Sequence, residues 1–340
     1  MDQHELETTA RALVAPGKGI LAADESTRTI KKRLDTVGVP STEETRRAYR
    51  DLLFTAPGIE PYISGVIMYD ETIRQASHDG VPFPQLLAQR GIIPGIKVDL
   101  GTVDLPGYPG EKITEGLDGL RNRLSEYRQL GARFAKWRAV YAIGDGTPTC
   151  YGMDANAQAL ARYAALCQEA GLTPIVEPEV LMDGDHTAER CAEVTEQVLH
   201  RVFAALEEAR VAPEGMLLKP NMILPGEKAA QRLSPPQVAD LTVRTLRRVV
   251  PAAVPGIVFL SGGQRAQEAT ENLNALNRTG PQPWALSFSY GRALQEAALK
   301  LWHGDAHNTA PAQEAFRRRA ELCSAARAGR YLPEMEAASA

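Results

Sequence analysis

The chain has 340 residues, of which 44% are hydrophobic and 24% are charged, and its formal net charge is −4. This composition excludes a disordered chain, because it provides enough apolar residues to bury a core. The length fits either two domains of ordinary size or one large α/β barrel. The weak negative charge gives no general attraction for nucleic acid or for an anionic membrane, so local positive charges would have to hold any bound anion.

The cysteines and the N-terminal sequence indicate a reduced, soluble, cytoplasmic protein. Four cysteines form neither a disulfide framework nor a CxxC metal pattern. Residues 1–14 are polar and acidic, unlike a signal or transit peptide. No apolar run approaches the roughly 20 residues that span a bilayer. We therefore expect no membrane partner.

Eight short apolar runs recur along the chain, each bounded by glycine, proline or a charged residue. Their first residues are 28 to 46 positions apart, about the length of one strand-plus-helix unit. Continuous apolar runs are typical of strands that are buried on both faces of a parallel sheet. The runs begin at Ile20, Val66, Ile96, Phe134, Ile175, Met216, Ile257 and Ala285.

Helical patterns fill the gaps between these runs. Ser41 and Glu44 have capping-box spacing ahead of an apolar face, and the pattern over 117–127 is closed by Gly131. Later helices are predicted over 154–170, 187–209, from Ser234 onward, 264–277 and 291–302. The alternation predicts an α/β fold, a single (β/α)8 TIM barrel over 1–340, with a short N-terminal helix and a C-terminal tail from about residue 304. A doubly wound sheet is the alternative.

Charged residues lie within or just beyond at least five of the candidate strands. A buried charge costs several kcal/mol unless it is paired, so one instance would be unremarkable but five are informative. The carboxyl ends of barrel strands converge on the active-site face, where these side chains would meet. They are Asp24, Lys97, Lys136, Arg138, Glu177, Glu179 and Lys219.

Lys136, Glu177 and Lys219 belong to three successive strands, so their side chains could meet in the barrel mouth. A salt-bridge network that closes the barrel is one interpretation, and a reactive lysine is the other. A lysine amine with the ordinary pKa of about 10.4 is protonated at pH 7, but burial and a neighbouring cation lower its pKa. Lys219, next to Pro220, is favoured as the nucleophile, although spacing does not decide between the two lysines.

Two glycine-containing turns, over 261–264 and 289–292, follow the seventh and eighth runs. Backbone N–H groups at such turns and at helix starts bind phosphate, and phosphate sites are common at this place in the fold; plain glycine turns are the alternative. A weaker anion group combines Ser26, Thr29 and Arg33 with Lys97, although 31–33 also fits a solvated helix face.

Two other motifs carry less weight. Residues 260–264 match the signature of ATP-binding-cassette proteins, but no phosphate loop of the form GxxxxGK[ST] is present. The six histidines lack metal-ligand spacing, and 183–186 is expected to be a polar turn ahead of a helix. We therefore predict no metal site.

Six segments resemble class I fructose-1,6-bisphosphate aldolases, in register from about Leu13 to Tyr331. They are GILAADES (19–26), FAKWR (134–138), IVEPE (175–179), LLKPNM (217–222), FLSGG (259–263) and SFSYGRAL (287–294). The resemblance implies reversible cleavage of fructose 1,6-bisphosphate to dihydroxyacetone phosphate and glyceraldehyde 3-phosphate. It also implies a metal-independent reaction without a cofactor, and a homotetramer.

The resemblance implies a role for each group in the mouth. Lys219 would form the Schiff base with the C2 ketone, and Glu177, supported by Glu179, would carry protons during carbinolamine dehydration. Asp24 would deprotonate the C4 hydroxyl, and Lys136 would be the neighbouring cation. The C1 phosphate would be bound by Ser261, Gly262, Gly263, Ser289, Gly291 and Arg292. The C6 phosphate end would be bound by Ser26, Thr29, Arg33, Lys97 and Arg138.

The chain departs from the family pattern in two places. Animal members end in a tyrosine that assists proton transfer at the enamine carbon, whereas the last tyrosine here, Tyr331, lies nine residues before the end. We expect slower enamine protonation, or protonation by another acid or water. Arg28 and Thr29 stand where the family usually has glycine and serine, and Arg28 could shift the preference between mono- and bisphosphates.

Two other functions compete with this interpretation. One is a binding barrel that has lost catalysis, which the presence of Asp24, Lys136, Glu177 and Lys219 argues against. The other is a Schiff-base aldolase for another phosphorylated sugar, such as sedoheptulose bisphosphate.

Overall fold

Eight parallel strands close into a barrel in the computed structural model, which describes residues 3–339. The closed order around the barrel is β1-β10-β9-β8-β7-β6-β3-β2, while β4 and β5 form a separate antiparallel hairpin. The strands are β1 (Gly19–Ala23), β2 (Ile63–Met68), β3 (Ile93–Lys97), β4 (Gly101–Asp104), β5 (Lys112–Glu115), β6 (Phe134–Tyr141), β7 (Thr173–Val180), β8 (Leu217–Leu218), β9 (Gly256–Phe259) and β10 (Ala285–Tyr290). Each of the eight predicted runs overlaps a barrel strand. The barrel prediction is confirmed, and the doubly wound alternative is wrong because the sheet closes.

Helices surround the barrel and connect successive strands. They are α1 (Gln3–Leu13), α2 (Thr27–Asp35), α3 (Glu43–Phe54), α4 (Asp70–Ile73), α5 (Phe83–Gln89), α6 (Leu120–Gln129), α7 (Cys150–Glu169), α8 (Ala188–Glu208), α9 (Pro235–Val249), α10 (Ala266–Arg278), α11 (Arg292–Trp302) and α12 (Thr309–Arg327). Short 3-10 helices cover Pro213–Gly215, Ala306–Asn308 and Pro333–Ser339. Among the helices described, none is long and apolar enough to cross a membrane.

Two predicted helix starts are wrong. Thr42, rather than Ser41, caps α3: its hydroxyl accepts from Thr45 N–H at 3.1 Å, while the Thr45 hydroxyl accepts from Thr42 N–H at 2.9 Å. Helix α7 begins at Cys150, four residues before the predicted start, because the Thr149 hydroxyl provides its N-terminal cap. In both cases a threonine that satisfies the free N–H groups sets the boundary.

The barrel interior is a packed apolar core that is closed at its N-terminal end by α1. The α1 residues Ala10 and Leu13 pack there with Phe134 and other inward-facing strand residues. The Phe134 ring leaves no room for a side chain at Gly95, where a Cβ would lie 2.2 Å from it. This core fills the lower part of the barrel, so polar side chains are confined to the opposite, C-terminal end.

The segment after residue 304 is mostly helical, whereas the sequence predicted a tail. Helix α12 buries Phe316, Ala320 and Cys323 and packs against α10 and α11. The following Pro333–Ser339 turn contacts α12. This end of the chain therefore belongs to the helical layer around the barrel.

Candidate active site

A cavity of about 980 Å³ opens at the C-terminal ends of the barrel strands. Every residue predicted to act in catalysis or substrate binding lines it. The predicted catalytic residues are Asp24, Lys136, Glu177, Glu179 and Lys219, and the predicted binding residues are Ser26, Thr29, Arg33, Lys97, Arg138, Ser261, Gly262, Gly263, Ser289, Gly291 and Arg292. The sequence analysis did not single out several further lining residues, among them Glu25, Tyr69, Asp70, Arg74, Asp99 and Arg123.

A carboxylate bridges two buried lysines at the centre of the cavity. Glu177 Oε1 lies 3.2 Å from Lys219 Nζ, and Glu177 Oε2 lies 3.1 Å from Lys136 Nζ. Lys136 Nζ also lies 2.7 Å from Asp24 Oδ2. These four side chains are almost fully buried. The arrangement therefore concentrates two cations and two carboxylates in a site with little access to water.

Adjacent strands place these groups beside one another. Lys136 lies on β6 and Glu177 on β7, which pair in parallel along their whole length. Lys219 directly follows β8, and its backbone N–H donates to Val176 O on β7 at 2.8 Å. Asn221 holds the same junction, because its side-chain oxygen accepts from Val180 N–H at 3.0 Å. The residues on both sides of Pro220 are therefore hydrogen-bonded to β7, Lys219 through its backbone N–H and Asn221 through its side chain.

The charges of this centre stabilise one another. Burial alone would raise the pKa of Asp24 and of Glu177, but the nearby ammonium groups of Lys136 and Lys219 outweigh burial and lower both pKa values. Burial alone would lower the pKa of Lys136, but Asp24, Glu177 and Asp99 raise it above the ordinary range. At neutral pH, Lys136 is a cation between two carboxylates.

Glu177 and Ser289 retain free acceptor capacity toward the cavity. Glu177 Oε2 is close to Lys136, yet it accepts no well-aligned hydrogen bond from the residues that the structure describes. The buried Ser289 hydroxyl also has no hydrogen-bond partner among them. A buried polar group without a partner carries a free-energy cost that a bound ligand can remove.

The two glycine turns after β9 and β10 lie side by side. Gly263 has a φ of +74°, which favours glycine, and a Cβ on Gly291 would lie 3.2 Å from Ala22 O. Arg292 begins α11, and its guanidinium donates to Gln264 O at 3.1 Å. Backbone N–H groups and an arginine therefore converge where the sequence predicted the C1 phosphate.

Ser26 and Thr29, two of the residues predicted to bind the C6 phosphate, lie at the start of α2. Ser26 caps this helix, and its hydroxyl lies 3.1 Å from the Thr29 hydroxyl. The Lys97 ammonium contacts Asp99, and the Arg138 guanidinium contacts Glu179. Each of these two cations is therefore held by a carboxylate in the cavity wall.

Arg33 lies between Glu25 and the glycine turn that follows β10. Its guanidinium contacts Glu25, which also pairs with the buried Arg50. A Cβ built on Gly291 would lie 3.6 Å from Arg33 Nη2. Arg33 therefore lies beside the turn that was predicted to bind the C1 phosphate.

Of the residues that depart from the family pattern, Thr29 lines the cavity, whereas Arg28 and Tyr331 are not among its described lining residues. Arg28 is exposed and is absent from the described lining residues. Tyr331 is buried in another groove, where its hydroxyl donates to Glu336 Oε1 at 2.9 Å and its backbone N–H donates to Asn274 Oδ1 at 3.1 Å. Neither side chain is placed to touch a substrate in the barrel mouth.

Within residues 3–339, no cluster of three or more His, Cys, Asp or Glu side chains is arranged to hold a metal ion. Residues 183–186 form an irregular turn that leads into α8, as predicted. The C-terminal mouth of a (β/α)8 barrel is where the active sites of this fold lie, and a buried lysine beside a proton-carrying glutamate can form a covalent imine with a carbonyl substrate, so the fold and the site define an enzyme of the Schiff-base class.

Comparison with known proteins identifies the family within this class. The family described as "Fructose-bisphosphate aldolase class-I" matches residues 5–340. A probable fructose-bisphosphate aldolase class 1 from Xanthomonas campestris pv. campestris is 56% identical over 97% of this chain and 99% of its own. The cytosolic fructose-bisphosphate aldolase 6 of Arabidopsis thaliana is 55% identical over 96% of this chain and 91% of its own.

A solved structure agrees with these matches. It is that of Plasmodium falciparum fructose-bisphosphate aldolase in complex with TRAP and a small-molecule inhibitor. That structure superposes with a TM-score of 0.96 at 53% identity, covering 97% of this chain and 96% of that one. The chain belongs to the class I fructose-bisphosphate aldolase family. It is a lyase that cleaves fructose 1,6-bisphosphate reversibly through the lysine Schiff base of this class.

Proposed function

We propose that Lys219 is the nucleophile that forms the Schiff base, and that Lys136 remains a cation throughout. The observation that supports this assignment is the unequal surroundings of the two lysines. Lys136 contacts both Asp24 and Glu177, which favour its protonated form, whereas Lys219 contacts Glu177 alone. A lysine must lose its proton to attack a carbonyl, so the amine with fewer anionic neighbours is the better nucleophile.

Glu177 acts as the proton carrier of imine formation. It takes a proton from the Lys219 ammonium, from which it is separated by 3.2 Å. The neutral amine adds to the C2 carbonyl of the sugar and forms a carbinolamine. Glu177 then gives a proton to the carbinolamine hydroxyl, which leaves as water, and an iminium remains on Lys219. Glu179 supports this role by holding Arg138 beside it.

Asp24 acts as the base of carbon–carbon cleavage. Its carboxylate takes the proton of the C4 hydroxyl, the C3–C4 bond breaks, and the electron pair moves into the iminium to give an enamine. Glyceraldehyde 3-phosphate leaves as the aldehyde. Protonation of the enamine and hydrolysis then release dihydroxyacetone phosphate and free Lys219. Lys136, 2.7 Å from Asp24, stabilises the negative charge that develops at the C4 oxygen.

The two phosphates bind at opposite sides of this centre. The turns that carry Ser261, Gly262, Gly263, Ser289, Gly291 and Arg292 hold the C1 phosphate. The residues Ser26, Thr29, Lys97 and Arg138 hold the C6 phosphate, and Arg33 reaches toward both. The iminium is the electron sink, so the proposed reaction needs neither a metal nor another cofactor.

The relatives of the chain support proposals for its cellular location and its oligomeric state. We propose a cytoplasmic location, which is supported by the cytosolic names of the plant relatives. We also propose a homotetramer without nucleic-acid or membrane partners. Its native mass by light scattering is then near four times the 36.9 kDa of one chain.

The assignment of Lys219 is tested by steady-state cleavage. Lys219→Met should lower kcat for fructose 1,6-bisphosphate by at least about 1,000-fold, because no imine can form. Lys228→Met, which changes an exposed lysine, should retain the parent rate. Activity near the parent level in Lys219→Met would reject the proposal.

The rates of cleavage of sedoheptulose 1,7-bisphosphate and of fructose 1,6-bisphosphate, measured side by side, determine which bisphosphate the enzyme prefers.

A further inference from the structure

Asp99 is a buried carboxylate in the cavity wall to which the mechanism above gives no role. It lies two residues after Lys97, at the carboxyl end of β3, and is 5% exposed. A negative charge at the C6 side of the cavity would by itself oppose the binding of a phosphate. Its contribution must therefore come from the groups that it holds.

Asp99 holds Lys97 by two contacts. The Lys97 ammonium contacts Asp99 Oδ1 and also donates to the Asp99 backbone carbonyl at 2.8 Å. Asp99 Oδ1 accepts from Gly101 N–H at 3.1 Å, which fixes the carboxylate against the start of the β4–β5 hairpin. An ammonium group has three N–H donors, so one remains for an anion in the cavity.

The same carboxylate holds the strand that carries Arg138. Asp99 Oδ2 accepts from the Arg138 backbone N–H at 3.2 Å, which links the exit of β3 to β6. The Lys97 ammonium and the Arg138 backbone, which belong to two of the cations predicted to bind the C6 phosphate, therefore contact one buried carboxylate. A binding site that is held in its bound geometry before the ligand arrives loses less conformational entropy on binding.

We propose that Asp99 is a positioning residue that sets the preference of the enzyme for a sugar with a phosphate at C6. It fixes the Lys97 ammonium and the Arg138 backbone to the same point of the cavity wall. The inference rests on the proposed function, in which Lys97 and Arg138 contact that phosphate.

Two variants and two substrates test this role. Asp99→Asn keeps the shape, but its amide presents a donor either to Lys97 or to the Arg138 N–H, so one contact is lost. Asp99→Glu keeps the charge and displaces it by one methylene. Both should raise the KM for fructose 1,6-bisphosphate about tenfold more than the KM for fructose 1-phosphate, which lacks the C6 phosphate.

Two control variants separate this inference from the assignment on which it rests. Asp104→Asn, in the exposed Asp104–Lys112 pair of the hairpin, should leave the ratio of the two KM values unchanged. Lys97→Met should raise that ratio. If Lys97→Met raises the ratio and both Asp99 variants leave it unchanged, the inference is overturned. If Lys97→Met also leaves it unchanged, the assignment of Lys97 fails and the inference fails with it.

Discussion

Glu177 lies between two lysines from neighbouring strands, and each residue of this centre depends on the charges of the others. Glu177 and Asp24 remain carboxylates despite burial because Lys136 is beside both. Removal of Lys136 would leave Asp24 buried without its ion-pair partner, which is strongly destabilising. The same contacts thus link the chemistry of the site to the stability of the fold.

The lowered pKa values of Asp24 and Glu177 predict a loss of stability in acid. A carboxyl group whose pKa is lower in the folded state stabilises the fold at any pH above its ordinary pKa, here 3.8 and 4.5. That contribution is lost as the pH falls through the folded pKa. Asp24→Asn removes one of the two titrations, so between about pH 5 and about pH 3 its free energy of unfolding should fall about 1 kcal/mol less than that of the parent.

Urea unfolding at each pH, at one fixed protein concentration, measures this difference. An equal fall in the parent and in Asp24→Asn would show that Asp24 does not titrate with a lowered pKa in the folded state.

Most of the cavity lining could be predicted from sequence, because charges at strand ends and glycine turns are visible as local patterns. Asp99 and Glu25 were missed, although both lie close to predicted residues: Asp99 is two positions after Lys97, and Glu25 directly follows Asp24. Their partners, such as Arg138 and Arg50, lie on other elements. Only the folded structure shows which distant group each carboxylate holds.

The secondary structure elements were predictable from their apolar patterns, whereas several of their ends were not. The apolar runs marked the eight barrel strands, β1 to β3 and β6 to β10, but the hairpin β4–β5 was missed because its strands are short and largely exposed. Two helix starts were misplaced since neighbouring residues offered equivalent caps in sequence. Ser41 and Thr42 both carry a hydroxyl, and backbone geometry alone selects Thr42.

Capping of α3 gives a prediction with a matched control. Thr42→Ala removes the hydroxyl that accepts from Thr45 N–H, so it should lower the free energy of unfolding by about 1 kcal/mol. Ser41→Ala, one residue earlier, should change it by less than about 0.5 kcal/mol. Denaturant unfolding of both variants measures the difference, and a larger loss in Ser41→Ala would mean that Ser41 is the true cap.

At the scale of the whole molecule, lysine and arginine side chains gather together with carboxylates at one end of a chain whose net charge is −4. Lys97, Lys136, Arg138, Lys219 and Arg292 all line the same cavity. The opposite end of the barrel is closed by α1 over an apolar core. A bisphosphate would therefore be held by contacts with individual cations of the mouth rather than attracted by the charge of the protein as a whole.

The C-terminal segment is packed on the outside of the barrel, and this position predicts the effect of changing Tyr331. Because its hydroxyl donates to Glu336, which also pairs with Arg319, Tyr331→Phe should destabilise the fold slightly. It should leave proton exchange at C1 of dihydroxyacetone phosphate within about twofold of the parent, because the Tyr331 side chain is buried outside the barrel mouth and is not among the described lining residues of the cavity. NMR in deuterated water measures this exchange, and a large loss of exchange would place Tyr331 in the reaction.

The central claim is that Lys219 carries the substrate covalently. Borohydride reduction in the presence of fructose 1,6-bisphosphate, followed by peptide mass spectrometry, locates the trapped adduct. We expect a secondary amine on the peptide that contains Lys219, an unmodified Lys136 peptide, and no adduct when substrate or borohydride is omitted. An adduct on Lys136, or the absence of any adduct while cleavage proceeds, would contradict it.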